Sequence, residues 1–184
     1  YPYVGNNFVL FNECTDMKKV LFILCIACSS LIAQVDTQAI QKEIDTTLWR
    51  SFQKAYESLD GEAANATYAD NVLRVTPAGI DTEGAFKAQN LKRFATYRKD
   101  QVKMKLDFWF DSRMTNESTS YEVGFYRVRF TLPSGRIDTF YGQFHIVLEK
   151  IDGKWKITQD WDTLTIGGKP ITAEDFDAKR PIRF

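Results

Sequence analysis

The chain is short of the residues that staple a fold or ligate a metal. It has three cysteines, Cys14, Cys25 and Cys28, and all precede residue 34. A body beginning at Gln34 therefore has no disulfide, no thiol nucleophile and no cysteine-held zinc, so its core alone must stabilise it. One histidine, His145, and no tight acidic loop leave little for a metal, although Asp107, Asp111, Asp160 and Asp162 are available carboxylates. An excess of either charge is also missing. Lys plus Arg and Asp plus Glu number 24 each, with no basic block or stripe, which excludes the electrostatic footprint of a nucleic-acid or anionic-membrane binder. Repeats and low-complexity linkers are absent. The 184 residues, 44% hydrophobic and 14% aromatic, suit one globular domain with a sizeable core.

Only one long apolar run exists. Residues 20–33 (VLFILCIACSSLIA) come directly after Met17-Lys18-Lys19 and read as the core of a secretory signal peptide over 17–33, too short to span a bilayer comfortably. Cleavage after Ala33 leaves Gln34 at the new terminus and no membrane span in the mature chain. Lipoprotein processing at Cys28 is the weaker reading, because Cys25 stands where leucine is expected. Residues 1–16 lie upstream of Met17, carry no helix or strand pattern and read as non-native upstream sequence. The expected setting is the bacterial envelope, periplasmic or secreted.

From Asp36 the residues Ile40, Ile44, Leu48, Phe52, Ala55 and Leu59 recur every three or four positions. This predicts a long amphipathic helix capped by Asp36 or Thr37 and ended at Asp60-Gly61. A short helix is expected over 62–70, a strand over 71–76 stopped by Pro77-Ala78-Gly79, and a third helix from Thr82 to about residue 98, burying Phe86, Leu91 and Phe94. The period then changes to two. Strands are expected over 102–114, 120–132, 137–151 and 154–165, with turns at 115–118 and 133–135. Three helices ahead of a meander of long strands make an α+β domain over 34–165, with the helices packed on a strongly curved, mainly antiparallel sheet. Residues 166–184 read as an irregular extension over the body.

Asp152-Gly153 lies between two β-rich runs and signals a two-residue hairpin, whose central positions both need positive φ. Counting outward pairs Glu149 with Lys156, Leu148 with Ile157, Phe144 with Trp161 and His145 with Asp160. One face then carries Phe144, Ile146 and Leu148 with Ile157 and Trp161, and is apolar. The other mixes Tyr141, Gln143 and His145 with Asp160 and Asp162, joined by Tyr126 from the preceding strand, and combines contact area with placed hydrogen-bonding groups. As a site, Asp160 would fix the tautomer of His145 and raise its pKa, giving an acid or base near neutral pH. As structure, the two would form an exposed cross-strand pair contributing at most about 1 kcal/mol. A one-residue bulge would reverse the facing. Trp49, Phe52, Tyr56 and Phe86 fall on helical stripes and read as core before ligand cage. Arg127 and Arg129 read as solvated or facing a second subunit.

Several local words resemble the nuclear-transport-factor-2-like superfamily, in its SnoaL-like branch with a cystatin-like cone fold. They are the first helix with Trp49 and Tyr56, Ala69-Asp70-Asn71-Val72, Glu83-Gly84-Ala85, and Asp152-Gly153-Lys154-Trp155-Lys156-Ile157. The resemblance covers about residues 38–165. It implies a cone-shaped pocket between helices and sheet, lined by Trp49, Tyr56, Tyr126, Tyr141 and Gln143, with His145 and Asp160 as its acid–base pair. Set beside ketosteroid isomerase, His145 falls where that enzyme has its oxyanion-hole aspartic acid, Tyr56 is a candidate for the tyrosine of the hole, and Asp70 is the residue nearest the general base. Histidine in place of the acid argues against steroid isomerisation as such. The superfamily includes isomerases, cyclases, dehydratases and domains that only bind, so it implies a fold more than a reaction. It leaves two expectations. The favoured one is binding of a small apolar or amphipathic molecule in the cone, with homodimerisation through the sheet face that holds Phe144 and Trp161. The other is cofactor-independent isomerisation, cyclisation or dehydration by His145 and Asp160, with Tyr56 or Tyr126 donating to developing oxygen charge. Neither implies a metal or a cofactor.

Overall fold

Asp36 opens the residues described by the computed structural model, Asp36–Phe184, and its carboxylate accepts the N–H groups of Gln38 and Ala39. The upstream segment, the signal sequence at 17–33 and all three cysteines lie outside the described residues. The long helix predicted from the apolar stripe is present with one irregularity. Helix α1 (Thr37–Ile44) passes through a π-turn (Asp45–Trp49) into α2 (Arg50–Glu57). The hydroxyls of Thr46 and Thr47 donate back to the carbonyls of Lys42 and Glu43, a competition for acceptors that loosens the turn. The widened turn buries both Leu48 and Trp49, although they are adjacent in sequence.

Leu59, at φ 56°, ends α2, and Asp60 caps α3 (Gly61–Asn65) by accepting the Ala63 N–H. This helix is shorter than predicted because residues from Tyr68 onward join strand β1 (Tyr68–Thr76), which turns into β2 (Gly79–Asp81). Helix α4 (Ala85–Lys99) is held by Asp81 rather than Thr82. The Asp81 carboxylate accepts from Glu83, Ala85 and Phe86. Phe86 and Phe94 are buried, whereas Leu91 stays exposed beside Gly61.

Strands β3 (Lys103–Thr115), β4 (Thr119–Thr131), β5 (Ile137–Ile151) and β6 (Lys154–Thr163) form the antiparallel meander. The sheet order is β2-β1-β6-β5-β4-β3, and β1 lies parallel to β6. The helices pack on one face of the sheet around Ile44, Leu48, Trp49, Phe108, Ile146 and Leu148. Two bulges, at Asp111 in β3 and Thr158 in β6, interrupt the register and bend the sheet. Two glycines let aromatic rings lie flat on it. Gly124 pairs with Phe144 and Gly142 with Tyr126, and a Cβ on Gly142 would lie 2.3 Å from the Tyr126 ring.

The tail is more ordered than predicted. It forms a small hairpin of β7 (Thr165–Ile166) and β8 (Lys169–Pro170), then α5 (Ala173–Asp177). The Phe176 carbonyl accepts from Trp109 Nε1 at 2.7 Å, and the Ile182 N–H bonds the Phe108 carbonyl, covering part of the β3 edge. Arg127 and Arg129, expected to be solvated or to face a second subunit, grip the buried Asp107 at 2.9 and 3.0 Å, with Arg183 of the tail as a third guanidinium. Burial works against ionisation of Asp107, but these guanidiniums outweigh it and hold the carboxyl below its usual range. Among the described residues, no helix is long and apolar enough to cross a membrane.

Candidate functional site

The Asp152-Gly153 turn has positive φ at both residues, 49° and 74°, and the predicted pairs Glu149–Lys156 and Leu148–Ile157 are present. Thr158 then bulges out of the ladder. Beyond it Val147 pairs with Gln159, Ile146 with Asp160 and His145 with Trp161, so His145 and Asp160 are not partners. Because side chains alternate along a strand, the extra residue reverses the facing of everything after it. Asp160 and Asp162 turn inward with Phe144 and Ile146, and Trp161 turns outward. Phe144 and Trp161 thus occupy opposite faces and cannot share one dimer surface.

His145 lies on the outer face, against Trp161 at 4.6 Å between ring centroids and 2.6 Å from the Tyr121 hydroxyl at Nδ1. Burial lowers its pKa; Nδ1 shares its hydrogen bond with the Tyr121 hydroxyl, and Nε2 stands 3.4 Å from the Gln143 amide oxygen. Tyr141 and Gln143 share that outer face, away from the cone. Tyr126, expected beside them, points the other way, because β4 and β5 pair Tyr126 with Gly142 and Gly124 with Phe144.

The inner face lines a half-open cavity of about 290 Å³. Trp49, Phe52 and Tyr56 close it from the helices, while Phe108, Tyr126 and Phe144 form much of its floor. At one end stand Tyr68 and Arg74 of β1 with Asp160 and Asp162 of β6. The Tyr68 hydroxyl and Arg74 Nη1 each donate to Asp160 Oδ2 at 2.9 Å, and Arg74 Nη2 donates to Asp162 Oδ2 at 3.3 Å. Of the seven residues expected at a site, Trp49, Tyr56, Tyr126 and Asp160 meet here; His145, Tyr141 and Gln143 do not. Tyr68 and Arg74 were not expected, and Asp162, set on the mixed face by the hairpin count, had no role assigned to it. Arginine within the otherwise apolar Val72–Val75 stretch was the available signal for Arg74.

Burial pushes the Asp162 carboxyl up to about 6, with Arg74 pulling against it and the Asp160 carboxylate adding to it. Burial, and after it the nearby carboxylates, raises Tyr126 well above the ordinary phenol range, and burial with Asp160 does the same to Tyr68. Both remain hydrogen-bond donors throughout the physiological range. The Tyr126 hydroxyl has no hydrogen-bond partner among the described residues and is available to a ligand, whereas the Tyr56 hydroxyl stands against that of Tyr68. Replacing Gly142 with alanine is expected to swing the Tyr126 ring off the floor, since the new Cβ meets only the far end of that side chain. Tyrosine ring resonances should shift, with a stability loss of about 1 kcal/mol; an unshifted Tyr126 would contradict this contact.

A larger trough of about 610 Å³ runs beside Asp70, Asn71, Thr82 and Glu149, but no aromatic side chain lines it, and the aromatic walls favour the smaller cavity as a binding site. Asp70 lies in this trough and not in the cone. Among the described residues, no group of three or more His, Cys, Asp or Glu side chains converges as a metal site.

No protein-family model matches the chain, and no curated protein matches it. Solved structures do. A conserved protein from Planctomyces limnophilus is similar with a TM-score of 0.59 at 19% identity, covering 73% of this chain and 99% of that one. A nuclear transport factor 2-like superfamily protein from Salmonella enterica serovar Typhimurium gives 0.54 at 13% identity over 74% and 95%. A domain of unknown function with a cystatin-like fold from Nostoc punctiforme gives 0.54 at 20% identity over 75% and 82%.

Proposed function

We propose that this chain, whose fold is that of the nuclear-transport-factor-2-like superfamily, binds a small amphipathic molecule between α2 and the concave sheet. The observation that carries this reading is the aromatic-walled cavity, which ends in Arg74, Asp160 and Asp162 and presents the Tyr126 hydroxyl. Aromatic walls provide affinity through burial, and a few polar groups at one end orient the guest. At about 290 Å³ the space suits a compact guest of one or two fused rings. An exported setting is supported by Lys18-Lys19 and the apolar stretch over 20–33.

A second reading, acid–base catalysis, is favoured by one observation. Asp162, pushed up to about 6, would exchange a proton near neutral pH in the same cavity as the Tyr126 hydroxyl. In this reading Asp162 takes the role that the hairpin count gives to His145.

The binding claim is tested with 2-naphthol, a neutral two-ring probe. Calorimetric titration should show saturable binding to the wild-type domain. Filling the cavity with Val128→Phe should weaken it at least tenfold, with the circular dichroism spectrum unchanged. Undiminished binding to the filled variant would place the probe elsewhere.

A further inference from the structure

Arg74 divides its hydrogen bonds unequally. Nη1 donates to Asp160 at 2.9 Å and to the Tyr68 hydroxyl at 3.2 Å, and Tyr68 donates to the same Asp160 oxygen. This half is a closed, mutually supporting triad. Nη2 makes one bond of 3.3 Å, to Asp162. The Asp162 side chain is 19% exposed against 8% for Asp160, so it is the more accessible of the two partners. The other charged or titratable groups around Asp162 are Arg93 of α4 at the cavity wall, Tyr126 of β4 and Tyr56 of α2.

Resting on the reading of this cavity as a ligand site, we propose that Arg74 recognises the carboxylate of an amphipathic monocarboxylic acid, and that Asp162 occupies that position as an internal competitor until it is protonated. With Asp162 ionised, two carboxylates balance Arg74 and Arg93. A third carboxylate would then meet two like charges in a poorly solvated space. Protonation of Asp162 removes one negative charge and releases Nη2 of Arg74. A guest carboxylate can then take charge-assisted bonds from that nitrogen, from the Asp162 carboxyl proton and from the Tyr126 hydroxyl. Asp160 stays with Tyr68 and keeps the guanidinium in place. The guest's ring lies on Phe144 and Trp49. Burial, which carries the Asp162 exchange to about 6, puts the change between mildly acidic and neutral conditions.

Titration of 2-naphthoate and of neutral 2-naphthol at pH 5.5 and 7.5 tests the proposal, because the acid probe is ionised at both values. Wild-type affinity for 2-naphthoate should fall by roughly twentyfold from pH 5.5 to 7.5, as expected if only the protonated form binds. Affinity for 2-naphthol should change little. Asp162→Asn should bind 2-naphthoate equally at both pH values, near the acidic wild-type affinity. Binding of 2-naphthol with none of 2-naphthoate at either pH would overturn the carboxylate assignment and leave the pocket reading standing. A pH dependence that survives in Asp162→Asn would overturn the competitor role, and would point to a group outside the cavity such as His145. Failure of both probes to bind would overturn the pocket reading itself.

Discussion

Replacing Arg113 with methionine is expected to destabilise the fold by about 3–5 kcal/mol, lowering the thermal midpoint by roughly 10 °C. Arg113 donates to Glu122 Oε1 from Nε at 3.0 Å and Nη2 at 2.9 Å, and Nη2 also lies 2.8 Å from Asp45 of the π-turn. Glu122 is fully buried, and its other oxygen accepts from Trp49 Nε1 at 2.7 Å. The pair therefore ties the irregular helical turn to the sheet, and with it the tryptophan that closes the cavity. Without Arg113 a buried carboxylate would lose its only bonded counter-ion among the described residues. Burial already pushes the Glu122 pKa up, with Arg113 opposing the shift. An acid with a folded pKa above its unfolded value binds its proton more tightly when folded, so its contribution to stability falls as pH rises through that interval. Loss of Arg113 widens the interval. Denaturant titration should show the variant's deficit largest near neutral pH and smaller in acid. Adding Glu122→Gln should recover much of it. A deficit independent of pH would mean that lost packing, and not the unpaired charge, is responsible.

Gly124→Ala should cost about 3 kcal/mol or more, well beyond the effect of the same change at Gly142. A Cβ on Gly124 would sit 2.2 Å from the Trp109 carbonyl oxygen and 2.5 Å from the Phe144 ring. The first of these is backbone in the neighbouring strand, so relief requires β3 and β4 to separate. At Gly142 the obstacle is the end of the Tyr126 side chain, which can rotate away. Urea unfolding of the two variants should therefore rank Gly124→Ala far below Gly142→Ala in stability. Equal losses would show that the sheet yields as readily as a side chain.

The same contrast between local and distant contacts explains what could be read from the sequence. The apolar stripe from Ile40 to Leu59, the Asp152-Gly153 turn and the period-two strands depend on neighbours in the chain, and their patterns are visible in one dimension. The pairing of β1 with β6 is parallel and joins Arg74 to Asp160, 86 residues apart, through no short connection. Thr158 leaves no compositional trace, yet this one extra residue exchanges the inward and outward sets of β6. Counting from the turn is correct up to Ile157 and off by one thereafter. For that reason the count pairs His145 with Asp160, sets Asp160 and Asp162 on one face with Tyr141 and Gln143, and assigns to packing the apolar face that lines the cavity.

The most direct measurement tracks the four tryptophan indole N–H signals by NMR during titration with 2-naphthol. Trp49 closes the cavity from the helix side, whereas Trp161, 38% exposed, stands on the outer face beside His145. Binding in the cone predicts a saturable shift of the Trp49 signal with Trp161 unmoved. A shift of Trp161 with Trp49 unmoved would put the ligand on the outer face and contradict the account.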